Sequence, residues 1–306
     1  MQETKFHRVS IIGFGEVGGI FGADLAAADV AVTVFDILLN KEQSREAMLK
    51  KSKTANVRAV DSLREAVLDA ELIIAAVTAS SAPAVAKEAA AVLKPGQFYL
   101  DLNSVSPETK MNIAESIGKS GADFIEAAVV APVAPQRLKV PMLLGGSRVA
   151  EFAKRLQSMG MDATAVGDRI GVASAIKMCR SVVMKGLAAL AIESLFAARR
   201  YGAEDAVIAS FEATYPSMGW AQSLPDNLAK RAAEHSRRRA AEMREVAETL
   251  KNVGIDPVMA LGTAQVQDWL TEEMEAGRIA FSAKGFSWRA LADAIDARVN
   301  PGRKRA

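Results

Sequence analysis

The feature that most constrains the fold is a strand, a glycine turn and a helix near the start of the chain. Residues 8–13, RVSIIG, form a β-branched run that ends in glycine, and an alanine-rich helical pattern follows. Gly13, Gly15 and Gly18 form a GxGxxG motif in this turn. The first glycine allows the tight turn, the second admits a pyrophosphate against the backbone, and the third lets the helix pack close to the strand. This context predicts a dinucleotide-binding unit.

An acidic residue at the end of the second strand refines this prediction. The run VAVTVFD ends at Asp36, about twenty residues beyond the motif, where a carboxylate accepts hydrogen bonds from ribose hydroxyls. The same carboxylate would repel a 2′-phosphate, so NAD is favoured over NADP. Lys41 and Arg45 lie close enough in sequence to weaken that preference, and NADP stays possible.

Strand-like and helical stretches continue to alternate as far as residue 167. The strand-like stretches are VRAV (57–60), ELIIAAVT (71–78), KPGQFYLDLNS, DFIEAAVVAP (123–132), PMLLGGS (141–147) and ATAVG. This alternation predicts a Rossmann-type, doubly wound parallel sheet, which binds ligands beyond the carboxyl ends of its strands. Ser106 is the expected N-cap of the helix that begins at SPETKMNIAESIG, which leaves Asn103 and Ser104 for ligands. The predicted cofactor-binding residues are Gly13, Phe14, Gly15, Glu16, Val17, Gly18, Asp36, Val77, Thr78 and Asn103.

Every pattern after Gly167 is helical, so we predict a dinucleotide-binding domain at 1–168 and an all-α domain at 169–306, joined by a long helix. That helix begins after Gly171 and is so apolar that we expect it to be buried nearly all round. Ser174, Lys177, Ser181 and Lys185 form one polar line along it. A lysine on such a line is either a paired structural residue or an acid/base with a lowered pKa.

A second long helix is predicted over residues 224–254. His235, Arg238, Arg239 and Glu242 share one broad face of it. A face of this kind is usually solvated, and it can also bind an anion.

Composition excludes several classes of protein. With 306 residues and a net charge of +2, the chain has no global attraction for nucleic acid. Charged residues interrupt the long helix, so no membrane span is expected. The single cysteine, Cys179, rules out an intrachain disulfide and a cysteine-rich metal site, and we expect it to be buried. The N-terminus lacks a secretory pattern, so we expect a cytoplasmic protein without a metal.

Four strings together resemble the β-hydroxyacid dehydrogenase superfamily, the relatives of 3-hydroxyisobutyrate and 6-phosphogluconate dehydrogenases. They are GFGEVGG, DLNSVSP, EAAVVAP and the glycine-rich lead into Lys177. KMCRSVVMKGLAAL and HSRRRAAEMREVAETL are more similar to a phosphogluconate dehydrogenase-like subfamily with its own helical C-terminal domain. The resemblance implies that Lys177 is the catalytic general acid/base, that Asn103 and Ser104 lie beside the nicotinamide and the substrate, and that the helical domains pair as a homodimer.

The chain departs from the superfamily pattern at two places. Val130, Ala131 and Pro132 replace the usual serine and glycines, and Arg180 and Ser181 occupy the turn where an asparagine is expected after the lysine. Hydride chemistry is thus better supported than any one substrate. An anionic group would suit arginine. The candidate substrate-binding residues are Asn103, Ser104, Arg180, Ser181, His235 and Arg239.

These residues favour an oxidoreductase that acts on a small anionic hydroxy acid or sugar acid. A decarboxylating or isomerising dehydrogenase of the 6-phosphogluconate type is a near alternative. An imine reductase is disfavoured, since those relatives usually lack a lysine at this position. A non-catalytic dinucleotide-binding or redox-sensing protein is the alternative from another class.

Overall fold

The computed structural model describes residues 5–276 and 285–299. The chain forms two compact units, of which the first ends at Lys177 and the second begins at Met178. The sequence placed the division at residues 168 and 169, before the long helix. The structure divides inside that helix, and the residues at its start donate hydrogen bonds to the carboxylate of Glu126 in the first unit.

The first unit is built on one eight-stranded sheet of order β3-β2-β1-β4-β5-β6-β7-β8. The strands are β1 (Arg8–Ile12), β2 (Ala31–Phe35), β3 (Arg58–Ala59), β4 (Leu72–Ala75), β5 (Phe98–Asp101), β6 (Asp123–Val129), β7 (Met142–Gly145) and β8 (Ala163–Gly167). Its helices are α1 (Glu16–Ala27), α2 (Glu42–Thr54), α3 (Leu63–Val67), α4 (Ala82–Ala90), α5 (Pro107–Gly118), α6 (Val133–Gln136) and α7 (Val149–Ser158). The predicted Rossmann-type sheet is confirmed.

One strand differs from the prediction of an all-parallel sheet. β7 runs antiparallel to β6, while the other neighbouring pairs are parallel. The connection between them holds only the short α6 and a 3-10 turn at Arg137–Lys139. A parallel pair needs a crossover that spans the sheet, and this connection is too short to provide one.

Both faces of the sheet are buried. Along β4, Leu72 and Ile74 point into one apolar cluster, and Ile73 and Ala75 point into another. This alternation between two covered faces explains why the strand LIIA is apolar at every position.

The described part of the second unit is helical throughout. Its helices are α8 (Val172–Arg200), which starts in the first unit, α9 (Glu204–Thr214), α10 (Leu224–Glu234), α11 (Ser236–Lys251), α12 (Val258–Glu275) and α13 (Trp288–Val299). The prediction of one helix over 224–254 is wrong. His235 leaves the helical region at φ −132° and ψ 25°, and it separates α10 from α11. His235 and Ser236 are both weak helix formers, which favours a break at this point.

An arginine links three helices of this unit. Arg199, near the end of α8, donates to both carboxylate oxygens of Asp293 on α13 at 2.6 and 2.7 Å. It also donates to Glu204 on α9 at 2.6 Å. These two carboxylates hold the pKa of Arg199 above its usual value.

The long helix is less buried than its composition predicted. Val183 is 68% exposed and Leu190 is 52% exposed, and Cys179, expected to be buried, is exposed. By length and composition alone, α8 contains a window apolar enough to cross a membrane, so the expectation that charges interrupt every such window is too strict. That window is 47% buried within the protein, and a single helix of this kind is weak evidence for a membrane span. The predicted cytoplasmic location stays a prediction.

Candidate functional site

The carboxyl ends of four parallel strands, β1, β2, β4 and β5, lie in one register across the sheet, and Glu126 within β6 continues that register. Ile12 of β1 pairs with Phe35 of β2 and with Ala75 of β4. Ala75 pairs with Asp101 of β5, which pairs with Glu126 of β6. The segments that follow these strands therefore meet along a single edge of the first unit, where sheets of this type bind ligands.

The glycine turn at this edge has the shape that the motif requires. Gly13 has a φ of +90°, and a Cβ there would lie 2.4 Å from the carbonyl oxygen of Ala76. A Cβ on Gly18 would lie 2.0 Å from the carbonyl oxygen of Gly13. At Gly15, by contrast, a Cβ would have no atom of another described residue beyond its chain neighbours within 4 Å. The turn is thus closed where it packs on the sheet and open at Gly15, where the unpaired N–H groups of α1 begin.

Asp36 binds the same turn. Its Oδ2 accepts a hydrogen bond from the backbone N–H of Phe14 at 2.7 Å, and its Oδ1 accepts one from Leu38 at 2.9 Å. A carboxylate has about four acceptor positions, so both oxygens can still accept from ribose hydroxyls. Asp36 therefore shapes the turn and keeps the capacity that was predicted for it.

Asn103 presents an unsatisfied donor at the end of β5. Its backbone N–H donates to Asp101 at 2.8 Å, and its side-chain oxygen accepts from the N–H of Val77 at 2.8 Å. Its Nδ2 is buried and has no hydrogen-bond partner among the described residues. A buried amide without an acceptor is costly, which indicates that a ligand oxygen belongs there.

The other sequence candidates at this edge have simpler surroundings. The N–H of Val77 is occupied by Asn103. Thr78 is exposed, and its hydroxyl lies 2.8 Å from that of Ser81. Ser104 is half-buried, and Ser106 caps α5 as expected. The open turn at Gly15 and the orphaned amide of Asn103 together fit a dinucleotide with its phosphates at α1 and its nicotinamide end near β5.

Sequence reasoning missed a buried ion pair beneath this edge. Lys110 and Asp101 have side chains only 1% exposed, and Lys110 Nζ lies 2.7 Å from the carbonyl oxygen and 3.3 Å from Oδ1 of Asp101. Lys110 shares the buried stripe of α5 with Ile113 and Ile117, and that helical spacing was the available signal. The pair fixes the end of β5 and hence the backbone of Asn103.

Glu126 was also missed, although it is the only charged residue inside the apolar run of β6. Its fully buried carboxylate accepts the N–H groups of Gly171 at 2.7 Å, Ala173 at 3.1 Å and Ser174 at 3.3 Å, and the Ser174 hydroxyl at 2.8 Å. These groups form the N-terminus of α8, where an anion is most stabilised by the helix dipole. Glu126 thus attaches α8 to the sheet.

Two carboxylates bind residues of the polar line on α8. Glu126 binds Ser174 at its start, and Lys177 lies partly buried on the following turn. Further along, Lys185 pairs with Glu242 at 2.7 Å and contacts the Ser181 hydroxyl at 3.4 Å. Burial lowers the pKa of Lys185, and the ion pair with Glu242 opposes that shift.

The remaining substrate candidates lie in the second unit. Ser181 is buried, Arg180 is exposed on α8, and His235 is exposed at the break between α10 and α11. Arg239 is partly buried, and its Nε has no hydrogen-bond partner among the described residues. Burial lowers the pKa of Arg239, and Glu242 acts against this shift. Within the described ranges, no group of three or more His, Cys, Asp or Glu residues is placed to hold a metal ion.

The sheet order, the glycine turn and the helical unit define a dinucleotide-binding protein of the hydroxyacid dehydrogenase type. A family model described as the NAD binding domain of 6-phosphogluconate dehydrogenase matches residues 8–167, and a domain of unknown function, DUF1932, matches residues 198–270. The chain belongs to the first of these families, and with it to the β-hydroxyacid dehydrogenase-like superfamily.

Two solved structures and one curated relative are similar to this chain. A conserved hypothetical protein from Sinorhizobium meliloti 1021 is 31% identical with a TM-score of 0.78, over 97% of this chain and 98% of that chain. The conserved protein MTH1747, described as similar in structure to 3-hydroxyacid dehydrogenases, is 31% identical with a TM-score of 0.70, over 88% and 99%. A 3-hydroxyisobutyrate dehydrogenase from Pseudomonas aeruginosa is 23% identical, over 71% of this chain and 72% of its own length.

We predict that Glu126→Gln lowers the free energy of unfolding by about 2 to 4 kcal/mol. The substitution removes a buried charge that accepts four hydrogen bonds, and it places the N–H₂ group of an amide next to groups that are themselves donors. Urea unfolding of the full chain measures this change. The matched control is Glu115→Gln, which removes an exposed carboxylate paired only with Lys119 and should change stability by less than about 1 kcal/mol. Equal effects of the two substitutions would contradict the assigned role.

Proposed function

We propose that this protein is an NAD-dependent oxidoreductase that transfers a hydride between nicotinamide and a small anionic hydroxy acid or sugar acid, with Lys177 as the general acid/base. The observation that carries the proposal is the attachment of α8 by Glu126. Glu126 lies beside Asp101 at the edge of the sheet, Asn103 follows Asp101, and Lys177 is one turn beyond Ser174. Lys177 and the side-chain amide of Asn103 thus belong to the same unit, and we place both near the carboxyl ends of its parallel strands.

The residues at this edge would divide the reaction between them. A nicotinamide bound at this edge would supply hydride transfer to or from the substrate carbon. Lys177, as the neutral amine, takes the proton from the substrate hydroxyl in oxidation, and as ammonium it returns one in reduction. The Nδ2 of Asn103 donates to an oxygen of the cofactor or substrate and orients it.

Two contacts support NAD over NADP. The carboxylate of Asp36 follows β2 beside the glycine turn, and it would repel the 2′-phosphate of NADP. Arg45 was one of two cations that the sequence offered for binding that phosphate. In the structure it pairs with Asp61 at 2.8 Å and donates to the carbonyl oxygen of Leu39 at 2.6 Å. Of the two cations considered, only the exposed Lys41 keeps its capacity for a phosphate.

Arg239 supports the anionic character of the substrate. Lys185, Arg238 and Arg231 lie in the same helical unit, and the charges of Arg238 and Arg231 act on Arg239 together with that of Glu242. The Nε of Arg239, which is buried and has no hydrogen-bond partner among the described residues, gives this cluster a donor for a carboxylate or phosphate. We therefore propose Arg239 as the anion-binding group, with Arg180, Ser181 and His235 as further substrate contacts.

Product analysis distinguishes simple oxidation from its decarboxylating or isomerising variants. Oxidation alone yields the matching oxo acid, whereas a β-keto product can lose CO₂ or rearrange. A non-catalytic dinucleotide-binding protein would bind the cofactor without turnover, and replacement of Lys177 would then have no activity to remove.

We predict that Lys177→Met lowers kcat by a factor of about 10² to 10⁴ while NAD affinity stays unchanged, because the proton acceptor is lost and the glycine turn is intact. Nicotinamide absorbance measures turnover against a panel of 2- and 3-hydroxy acids, sugar acids and their phosphates. Cys179→Ser is the control, because Cys179 is an exposed residue two positions further along the same helix. This variant should keep the wild-type kcat. Full activity of Lys177→Met on a panel substrate would exclude the lysine as the acid/base.

We predict that Arg239→Met raises the KM for an anionic substrate by about tenfold or more with little change in NAD affinity, because a charged hydrogen bond to the substrate is lost. Arg238→Met is the matched control, since Arg238 is exposed and lies 4.0 Å from Glu242. A KM that Arg239→Met leaves at the wild-type value would remove Arg239 from the site.

We further propose a homodimer that pairs through α8. Val183 and Leu190 are exposed aliphatic residues seven positions apart, a spacing that places them on one face of the helix. Light scattering should give a mass about twice 32.5 kDa, and Leu190→Glu should lower it toward that of one chain. A wild-type mass of one chain would contradict the pairing.

A further inference from the structure

The ammonium group of Lys51 lies against the glycine turn, on the side where α2 packs. Its Nζ donates to two consecutive backbone carbonyls, those of Phe14 at 2.6 Å and Gly15 at 2.7 Å. It also lies 4.8 Å from the centroid of the Phe14 ring. Lys51 is in the last turn of α2, the helix that follows Asp36. No role in the chemistry above requires a cation at this place.

These two contacts hold the direction of two amide groups, the second of them together with the N–H of Gly19, which donates to the Gly15 carbonyl at 3.0 Å. In a trans peptide unit the carbonyl and the N–H point in opposite directions, and no cis peptide bond occurs in the described residues. The Phe14 carbonyl belongs to the same unit as the N–H of Gly15, and the Gly15 carbonyl to the same unit as the N–H of Glu16. With both carbonyls turned toward Lys51, both N–H groups point away from it, on the open side of the turn.

The turn is held at a third peptide group by Asp36, which accepts the N–H of Phe14. The donors left without an intrahelical partner are those at the start of α1, and they are the groups that bind a pyrophosphate. We propose that Lys51 is a positioning residue for the dinucleotide, which acts by fixing the Gly15 and Glu16 amides toward the phosphates without contacting them. The proposal rests on dinucleotide binding and not on hydride transfer.

Gly19 gives independent support, because the GxGxxG motif does not require it. A Cβ on Gly19 would lie 2.8 Å from Cε and 2.9 Å from Nζ of Lys51. The glycine thus leaves the space through which the lysine reaches the turn. Since Lys51 has a flexible side chain, Gly19→Ala should displace the ammonium group and leave α1 intact, and alanine is the better helix former.

The test is a fluorescence titration of the full-length protein with NADH and a calorimetric titration with ADP-ribose, which lacks the nicotinamide. Lys51→Met and Gly19→Ala should each lower the affinity for NADH and for ADP-ribose by about tenfold, because both ligands contain the pyrophosphate whose binding is affected. Lys53→Met, which removes an exposed lysine from the same helix, is the control for net charge. Its affinity for both ligands should stay within about threefold of the wild-type value. Gly19→Ala should also melt at or above the wild-type temperature, which a purely structural role of the contact would not produce.

The double variant shows whether both changes act through the same contact. Gly19→Ala with Lys51→Met should bind NADH no more weakly than Lys51→Met alone. Additive losses, or a Lys51→Met affinity equal to that of Lys53→Met, would overturn the proposal. A wild-type protein that binds neither ligand would overturn the dinucleotide site itself, whereas binding without turnover would bear only on the proposed function.

Discussion

The buried carboxylate of Glu126 is the interaction on which the arrangement of the first unit depends. A fully buried charge is tolerated only when it is hydrogen-bonded, and here the N-terminus of α8 supplies the donors. The helix must therefore begin beside Glu126, within β6, and Lys177 follows in its second turn. The strand beside it is adapted to the same carboxylate, since a Cβ on Gly145 would lie 2.6 Å from Oε1 of Glu126.

The rest of this edge combines satisfied and unsatisfied groups. Asp36 and Lys51 occupy the backbone of the glycine turn from two sides, and Lys110 holds the end of β5. In the part of the chain that the structure describes, these contacts leave the Asn103 Nδ2 without a hydrogen-bond partner and the start of α1 open. A preorganised site has this form, because the protein has already fixed its own groups and leaves to the ligand only those that bind it.

Local features of the sequence predicted the parts of the fold and site that depend on neighbouring residues. The glycine motif, the strand ending at Asp36 and the Ser106 cap are short-range patterns, and the structure contains each of them. Glu126, Lys110 and Lys51 were missed because their partners are distant in sequence or lie on another element, as with Glu126 and Ser174, 48 residues apart. Composition alone made α8 look buried all round, since it does not tell which side faces a neighbour. The break at His235 depends on two weak helix formers inside a strongly helical run.

A crystal structure of the protein with NADH bound tests the proposed site most directly. We predict the pyrophosphate at the N–H groups of Gly15 and Glu16, the Asn103 Nδ2 bonded to a ligand oxygen, and Lys177 Nζ facing the nicotinamide C4. The gap between them should admit a substrate whose hydroxyl reaches Nζ at about 3 Å. A dinucleotide bound elsewhere, or a nicotinamide turned away from the start of α8, would contradict the proposed site.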